Sequence, residues 1–370
     1  MDKKKILLVT MSFFPENSPR SFRATELAKE FGKQGHSVNI ITERREYDYS
    51  EFEKKNNCTV RSELRLQKYR SDIFMKKRNI FVKIKDRFLY QFFLYPEVEI
   101  SKRITDALKG NKGKYDIVIS IAKPYSVHIG CAIALRKNRE LARTWIADCG
   151  DPFTLCKSDV YKFPFYIKWL EKWMFRRTDF ISVPVEAAIN GYYKEFHRKI
   201  RVIPQGFNFN AVKLYKGEIN NSCPTFCYAG ALYSKTRNPA KLMQYLGDIR
   251  DEFRFIVYTG TPGLLEPYKD TFGEKLIVKK PVPREELLFE LSKMDFLLNI
   301  DNVYKEQVPS KLIDYMMTGR PILNIEPENP DYSNIDRFLK GDYSGKYSLG
   351  KMDDYDISTI TKKILSLNES

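Results

Sequence analysis

Residues 306–325 read EQVPSKLIDYMMTGRPILNI. Pro309 and Ser310 mark a helix start, because a serine side chain accepts from the free N–H groups of a first turn. Residues 311–317 carry the helix, Gly319 suits the left-handed residue after it, and Pro321 prevents its continuation. Residues 322–325 then form a short apolar run of the kind buried in a parallel strand. The N-terminus of such a helix favours an anion, and Lys311 adds a full positive charge there. Asp314 lies about one turn on, on the same face, and Glu306 precedes it by eight positions. A cation with helix amides suits a diphosphate, and a carboxylate suits vicinal hydroxyls. The same residues also read as a plain capped helix with surface charges.

Helix and strand alternate on both sides of this stretch. Residues 5–10 and 38–42 are β-branched runs flanking a helix over 21–33, with Ala24, Leu27, Ala28 and Phe31 on its apolar side. Further strands are expected at 117–121, 145–148, 180–183 and 201–203, and residues 204–208 lead out of the first sheet. A second set begins near 222, with strands at 225–229, 255–258, 276–278, 296–300 and 322–325 and a last helix over 356–367. The pattern predicts two Rossmann-like halves. The loop after the first strand lacks Gly-x-Gly-x-x-Gly, which argues against a dinucleotide oxidoreductase. Arg20 and Arg23 flank the helix that follows, placed to meet phosphate or simply solvated. The loop 122–128 ends in His128, and Asp148-Cys149-Gly150-Asp151 sets two carboxylates in one turn, as metal ligands, as a base or as turn formers. Residues 162–177 hold Tyr166, Trp169, Leu170 and Trp173 at helical spacing, which predicts a core-packing helix.

The chain of 370 residues carries 63 basic and 47 acidic residues, a net charge of +16, which favours an anionic partner. Three histidines make a multi-histidine metal site improbable, and six scattered cysteines read as reduced thiols. The apolar start, MDKKKILLVTMSFF, lacks a cleavage site and is interrupted by Pro15 and Glu16, so it reads as strand plus loop. No stretch approaches a membrane span. Residues 68–95 mix Lys, Arg and aromatics, with Ile80, Ile84, Phe88 and Phe92 at helical spacing.

Seven stretches in this order, ILLVTMSFFPENSPRSFR, GHSVNIIT, YDIVISIAKPYSVHIG, WIADCGDPF, RVIPQGFN, YAGALYSKTRNP and VPSKLIDYMMTGRPIL, cover most of the chain. Together they resemble the GT-B glycosyltransferases, in particular the family 4-like enzymes of bacterial surface polysaccharide synthesis. The resemblance implies an α/β GT-B fold of two facing Rossmann-like domains. Its boundaries would be 1–207, joined by a C-terminal helix at about 352–370, and 208–351. The first domain would take the acceptor and the second a nucleotide sugar. It implies that Arg237 and Lys311 contact the donor diphosphate, that Asp314 holds the ribose hydroxyls, and that Glu306 and His128 lie near the sugar. Gly230, Lys235, Ser310 and Leu312 complete the implied donor site, and Arg20, Arg23, Asp148 and Asp151 are acceptor-side candidates. Ala231 departs from the arginine common after the loop glycine, and residues 17–20 replace a glycine pair.

The expectation is a retaining transfer from a UDP- or GDP-sugar to a glycan or polyprenyl-linked acceptor, in capsule, exopolysaccharide or O-antigen synthesis. No cofactor and no metal are expected, since two cations can replace a metal at the diphosphate. The enzyme would be cytoplasmic, with residues 68–95 either docking on an anionic membrane or packing as core. A GT-B sugar-nucleotide epimerase is the alternative. A nucleic-acid-binding protein is suggested only by charge, and no binding motif supports it.

Overall fold

The computed structural model describes residues 2–16, 18–67, 79–110, 114–156, 162–209, 213–301, 310–348 and 350–369. The chain separates into two compact units, Met1–Phe207 with Tyr355–Ser370, and Asn208–Asp354. Strands β1 (Lys5–Thr10), β2 (Ser37–Glu43), β3 (Cys58–Leu64), β4 (Tyr115–Ala122), β5 (Ala142–Cys149), β6 (Phe180–Val183) and β7 (Ile200–Val202) belong to the first unit. Strands β8 (Thr225–Ala229), β9 (Arg254–Tyr258), β10 (Leu276–Lys279), β11 (Phe296–Ile300) and β12 (Ile322–Ile325) belong to the second. The first-unit helices are α1 (Pro19–Lys33), α2 (Ser50–Asn56), α3 (Ile80–Phe93), α4 (Val98–Lys109), α5 (Ser126–Lys137) and α6 (Phe165–Phe175). The second unit carries α7 (Ala240–Gly247), α8 (Lys269–Phe272), α9 (Arg284–Leu291), α10 (Ser310–Met317) and α11 (Tyr332–Leu339), and α12 (Ile357–Ser366) closes the chain.

Both sheets are parallel. The first runs β3-β2-β1-β4-β5-β6-β7 and the second β10-β9-β8-β11-β12, so each reverses direction beside its first strand. That reversal opens a crevice at the carboxyl ends of β1 and β4, and of β8 and β11, where open α/β sheets bind ligands. The strands are apolar on both faces because helices cover both. Ile6 and Leu8 of β1 pack with α1, whereas Leu7 and Val9 pack with the opposite layer that includes α4 and α5. The terminal helix α12 returns to the first unit. Its Ile357, Ile360 and Ile364 join Ala24, Leu27 and Phe31 of α1. Gly206 makes that approach possible, since a Cβ there would lie 2.5 Å from Ile357 Cδ1.

Two expectations need correction. The loop after β4 is short: α5 starts at Ser126, so His128 is helical. Finally, α6 is not wholly a core helix. Ile167, Met174 and Phe175 face inward, but Phe165, Tyr166 and Trp169 are exposed.

Candidate functional site

In the second unit, β8 delivers Gly230 at φ +147°, a conformation L side chains rarely adopt, and a Cβ there would lie 3.3 Å from Tyr228 Oη. The loop that follows folds on itself. Arg237 N–H donates to Tyr233 O at 3.0 Å, and Leu232 N–H donates to Thr261 Oγ1 at 2.8 Å. This closure brings Arg237 back to Tyr228, whose phenol it hydrogen-bonds. Tyr228 is buried and donates to Ala231 O at 2.9 Å. Burial pushes its pKa up to about 12, with Arg237 opposing the shift.

Helix α10 is fixed over the same strand end. Leu312, Ile313 and Tyr315 are buried, and Tyr315 Oη accepts from Ala229 N–H at 2.7 Å. Leu312 is thus a core side chain, able to reach a ligand only through its backbone. Lys311 lies across the Tyr228 ring, its Nζ 4.2 Å from the centroid. That Nζ is buried and has no hydrogen-bond partner among the described residues. Burial holds its pKa well below the ordinary lysine range, the neighbouring charge of Arg237 lowers it further, and Asp301 opposes both. Two basic side chains therefore converge on the end of β8, and one of them, Lys311, is desolvated with no hydrogen-bond partner among the described residues.

Asp314 is not a free carboxylate. Arg284, the first residue of α9, donates to its Oδ1 from Nε at 3.0 Å and from Nη2 at 2.6 Å. Burial raises the Asp314 pKa and Arg284 works against it. Beneath α10, Asn324 Nδ2 donates to Asp301 Oδ2 at 3.4 Å, and Asn299 donates to Asn324. Lys235 is exposed on its loop. Glu306 and the Ser310 side chain lie outside the described residues.

Residues of the first unit behave differently. Arg23 donates from Nε and Nη2 to both oxygens of Asp148, at 3.1 and 2.9 Å, and from Nη1 to Pro204 O at 2.7 Å. Ser182 also donates to Asp148. Burial alone would raise the Asp148 pKa, but the charge and hydrogen bonds of Arg23, with the Ser182 hydroxyl and the charge of Arg20, together outweigh it and hold the carboxyl below its usual range. The two turn carboxylates do not meet, because Asp151 faces Lys123 at 3.6 Å. Arg20 lies flat on Gly150, where a Cβ would come within 1.2 Å of its Nη2. No group of three or more His, Cys, Asp or Glu side chains among the described residues could hold a metal ion.

His128 is fully buried, with Nδ1 2.7 Å from Ser120 Oγ and Nε2 3.4 Å from Cys149 Sγ. Trp145 Nε1 donates to the same serine at 2.8 Å. Burial pushes the His128 pKa down to about 3, so the ring is neutral at physiological pH. Both nitrogens are committed inside the core, which corrects the expectation of a histidine open to the sugar. Sequence reasoning missed Tyr228, Tyr315, Arg284 and Asp301. Tyr228 alone gave a signal, a polar-tipped residue in an apolar strand two positions before the loop glycine.

No protein-family model matches the chain, and a search of the curated proteins finds no match. Solved structures do match. A glycosyltransferase from Rickettsia africae aligns at 13% identity and TM-score 0.65, covering 99% of this chain and 98% of that one. HepE from Anabaena, in complex with UDP-glucose, aligns at 11% identity and TM-score 0.59, covering 98% of both. A UDP-N-acetylglucosamine 2-epimerase aligns at 12% identity and TM-score 0.54, covering 99% of this chain and 95% of that one. The two doubly wound units and these full-length alignments identify the fold as GT-B.

Proposed function

We propose that the protein is a glycosyltransferase that uses a nucleotide sugar. The observation that carries this reading is the buried Nζ of Lys311, without a hydrogen-bond partner among the described residues, beside Arg237 at the carboxyl end of β8. Glycosyl transfer from a nucleotide sugar leaves a diphosphate, and cations aimed where that charge develops lower the barrier most. Arg237 and Lys311 supply two such charges, and the first-turn N–H groups of α10 supply a third positive element. Asp314, oriented by Arg284, accepts from the ribose. A UDP-sugar is favoured over a GDP-sugar by the UDP-glucose held in the Anabaena protein of the same fold. With two cations at the diphosphate, no metal is needed. The reading takes the transfer as retaining, the acceptor hydroxyl approaching on the face the diphosphate leaves. His128 has no part in the chemistry, because neither of its ring nitrogens is offered to a ligand. The acceptor is a glycan, free or polyprenyl-linked, of a surface polysaccharide, and the site of action is the inner face of the cytoplasmic membrane.

Nucleoside diphosphates and their sugars should raise the melting temperature by mass action, because they bind only the folded state. No shift with UDP, GDP, ADP or dTDP forms would overturn the reading. The epimerase of the same fold supports a second one. Release of an epimerised sugar nucleotide without any acceptor would select it.

A further inference from the structure

The exposed aromatic surface of the first unit is unexplained by donor chemistry. In α3, Ile80, Phe81, Ile84 and Phe88 all stand exposed, Phe81 at 76%. At 3.6 residues per turn they fall within about 100° of one helix face. Lys85 borders that face on one side and Lys83 and Arg87 on the other, all three exposed. This is the arrangement of a helix lying in a lipid interface, with an apolar stripe and basic flanks. A second helix extends the surface. Tyr166 of α6 donates to Phe92 O at 2.7 Å, joining the two helices, and the Tyr90 and Phe163 rings meet at 5.9 Å. Next to that joint, Phe165 is 82% and Trp169 61% exposed. One apolar face of α3 and the Phe165–Trp169 end of α6 thus face solvent.

We infer that α3 and α6 form one platform that docks the protein on an anionic lipid bilayer. Charge selects this occupant. A two-fold contact between copies would place Lys83, Lys85 and Arg87 of each against those of the other, whereas an anionic leaflet is attracted by them. The net charge of +16 acts in the same direction at longer range. Aromatic rings suit the headgroup boundary, being apolar bodies on a surface that stays partly wet. Among the described residues no helix is long and apolar enough to cross a membrane, so the contact is peripheral. The basic residues 76–78 lie outside the described residues and are not needed for the argument.

The test uses the full chain and two kinds of vesicle, phosphatidylcholine alone and phosphatidylcholine mixed with phosphatidylglycerol. Binding is expected to the anionic vesicles only and to weaken with salt. Trp169 reports the contact directly: its emission should shift to the blue on binding, and Trp169→Phe should remove the shift. Changing Lys83, Lys85 and Arg87 together to Gln should weaken binding about 100-fold, at about fivefold per charge. Phe81→Ser with Phe165→Ser should also release the protein, with far-UV circular dichroism and melting unchanged, since both side chains are exposed. Absence of binding to anionic vesicles overturns the inference, as does binding that survives both sets of changes. A lipid-free dimer that Phe81→Ser and Phe165→Ser dissociate overturns it in favour of a second copy. No nucleotide enters the measurement, so its failure is separate from failure of the donor reading.

Discussion

Arg23 in the first unit and Lys311 in the second are both buried cations beside the carboxyl end of a strand, and they differ in what surrounds them. Every nitrogen of the Arg23 guanidinium donates to a fixed acceptor, two of them to Asp148. Lys311 Nζ rests on the face of Tyr228 with Arg237 close by, feels Asp301 only as a charge, and has no hydrogen-bond partner among the described residues. A buried charge with matched partners is compatible with a stable fold, whereas one without a partner costs stability and persists where a ligand completes it. The difference separates an internal brace from an open binding site.

The brace should break with the larger effect. Asp148→Asn leaves the buried Arg23 without its counter-charge, and losing one partner of such a pair costs about 3–5 kcal/mol. Urea unfolding should show that loss, while nucleotide affinity of the folded fraction stays as it was. Lost turnover at unchanged stability would instead return Asp148 to the acceptor side as a base.

The open site should respond with the opposite sign on stability. Lys311→Met keeps the apolar stem and removes a buried nitrogen with no hydrogen-bond partner among the described residues, so the ligand-free protein should gain about 0.5–2 kcal/mol. Turnover should fall about 100- to 1,000-fold, the usual loss for one group that stabilises developing charge. Arg237→Gln should lose turnover similarly without the gain in stability. Equal turnover in both variants would remove the diphosphate assignment.

The sequence shows the fold clearly because parallel strands buried on both faces must be continuously apolar, as in ILLVT and YDIVISIA. It shows Lys311, because the cap residues around a helix start are local. It does not show that Lys311 rests on Tyr228, 83 positions earlier, or that Asp314 pairs with Arg284, 30 positions earlier. Those contacts depend on how α9, α10 and β8 pack. The helices α3 and α6 teach the complementary lesson. Periodicity says that a face is apolar but not what covers it: the α3 face stands exposed, whereas in α6 Leu170 and Trp173 pack on the core and only Tyr166 and Trp169 of the expected stripe are exposed. His128 fails for a local reason, since α5 starts two residues earlier and turns the ring back onto β4 and β5.

Arg284 sharpens the picture at smaller amplitude. It holds one oxygen of Asp314 and opposes the upward pKa shift that burial imposes. Arg284→Met should weaken nucleoside diphosphate binding about tenfold, in line with loss of a hydrogen bond to a charged group. With Arg284 gone the Asp314 pKa rises further. The variant's affinity should therefore fall away at a higher pH than the wild type's as the solution is acidified. Titrations across pH 5 to 8, with KM rising more than kcat falls, would check this. A loss independent of pH would make Arg284 a plain contact.

The last test exploits the chemical difference between the two cations. Arginine stays protonated in proteins, so a pair that must remain ionic at every pH is safely built on Arg23. Lysine sheds its proton when burial makes the charge too costly, and Lys311 is shifted in that direction. An arriving diphosphate gives the ammonium its partner and moves the pKa back up. Binding should therefore take up a proton at pH values above the free-state pKa of Lys311 and below its bound-state pKa. Affinity should be greatest below the free-state value and weaken as pH rises through this window, by at most about tenfold per unit for one proton. Calorimetry over a series of pH values in HEPES and in Tris would measure it, because the two buffers release protons with different heats. Lys311→Met should cancel the part of the buffer dependence that belongs to the lysine, leaving only protons carried by the nucleotide itself. Equal uptake by wild type and variant would mean that Lys311 keeps its charge in the empty site, and the contrast with Arg23 would then rest on partners alone.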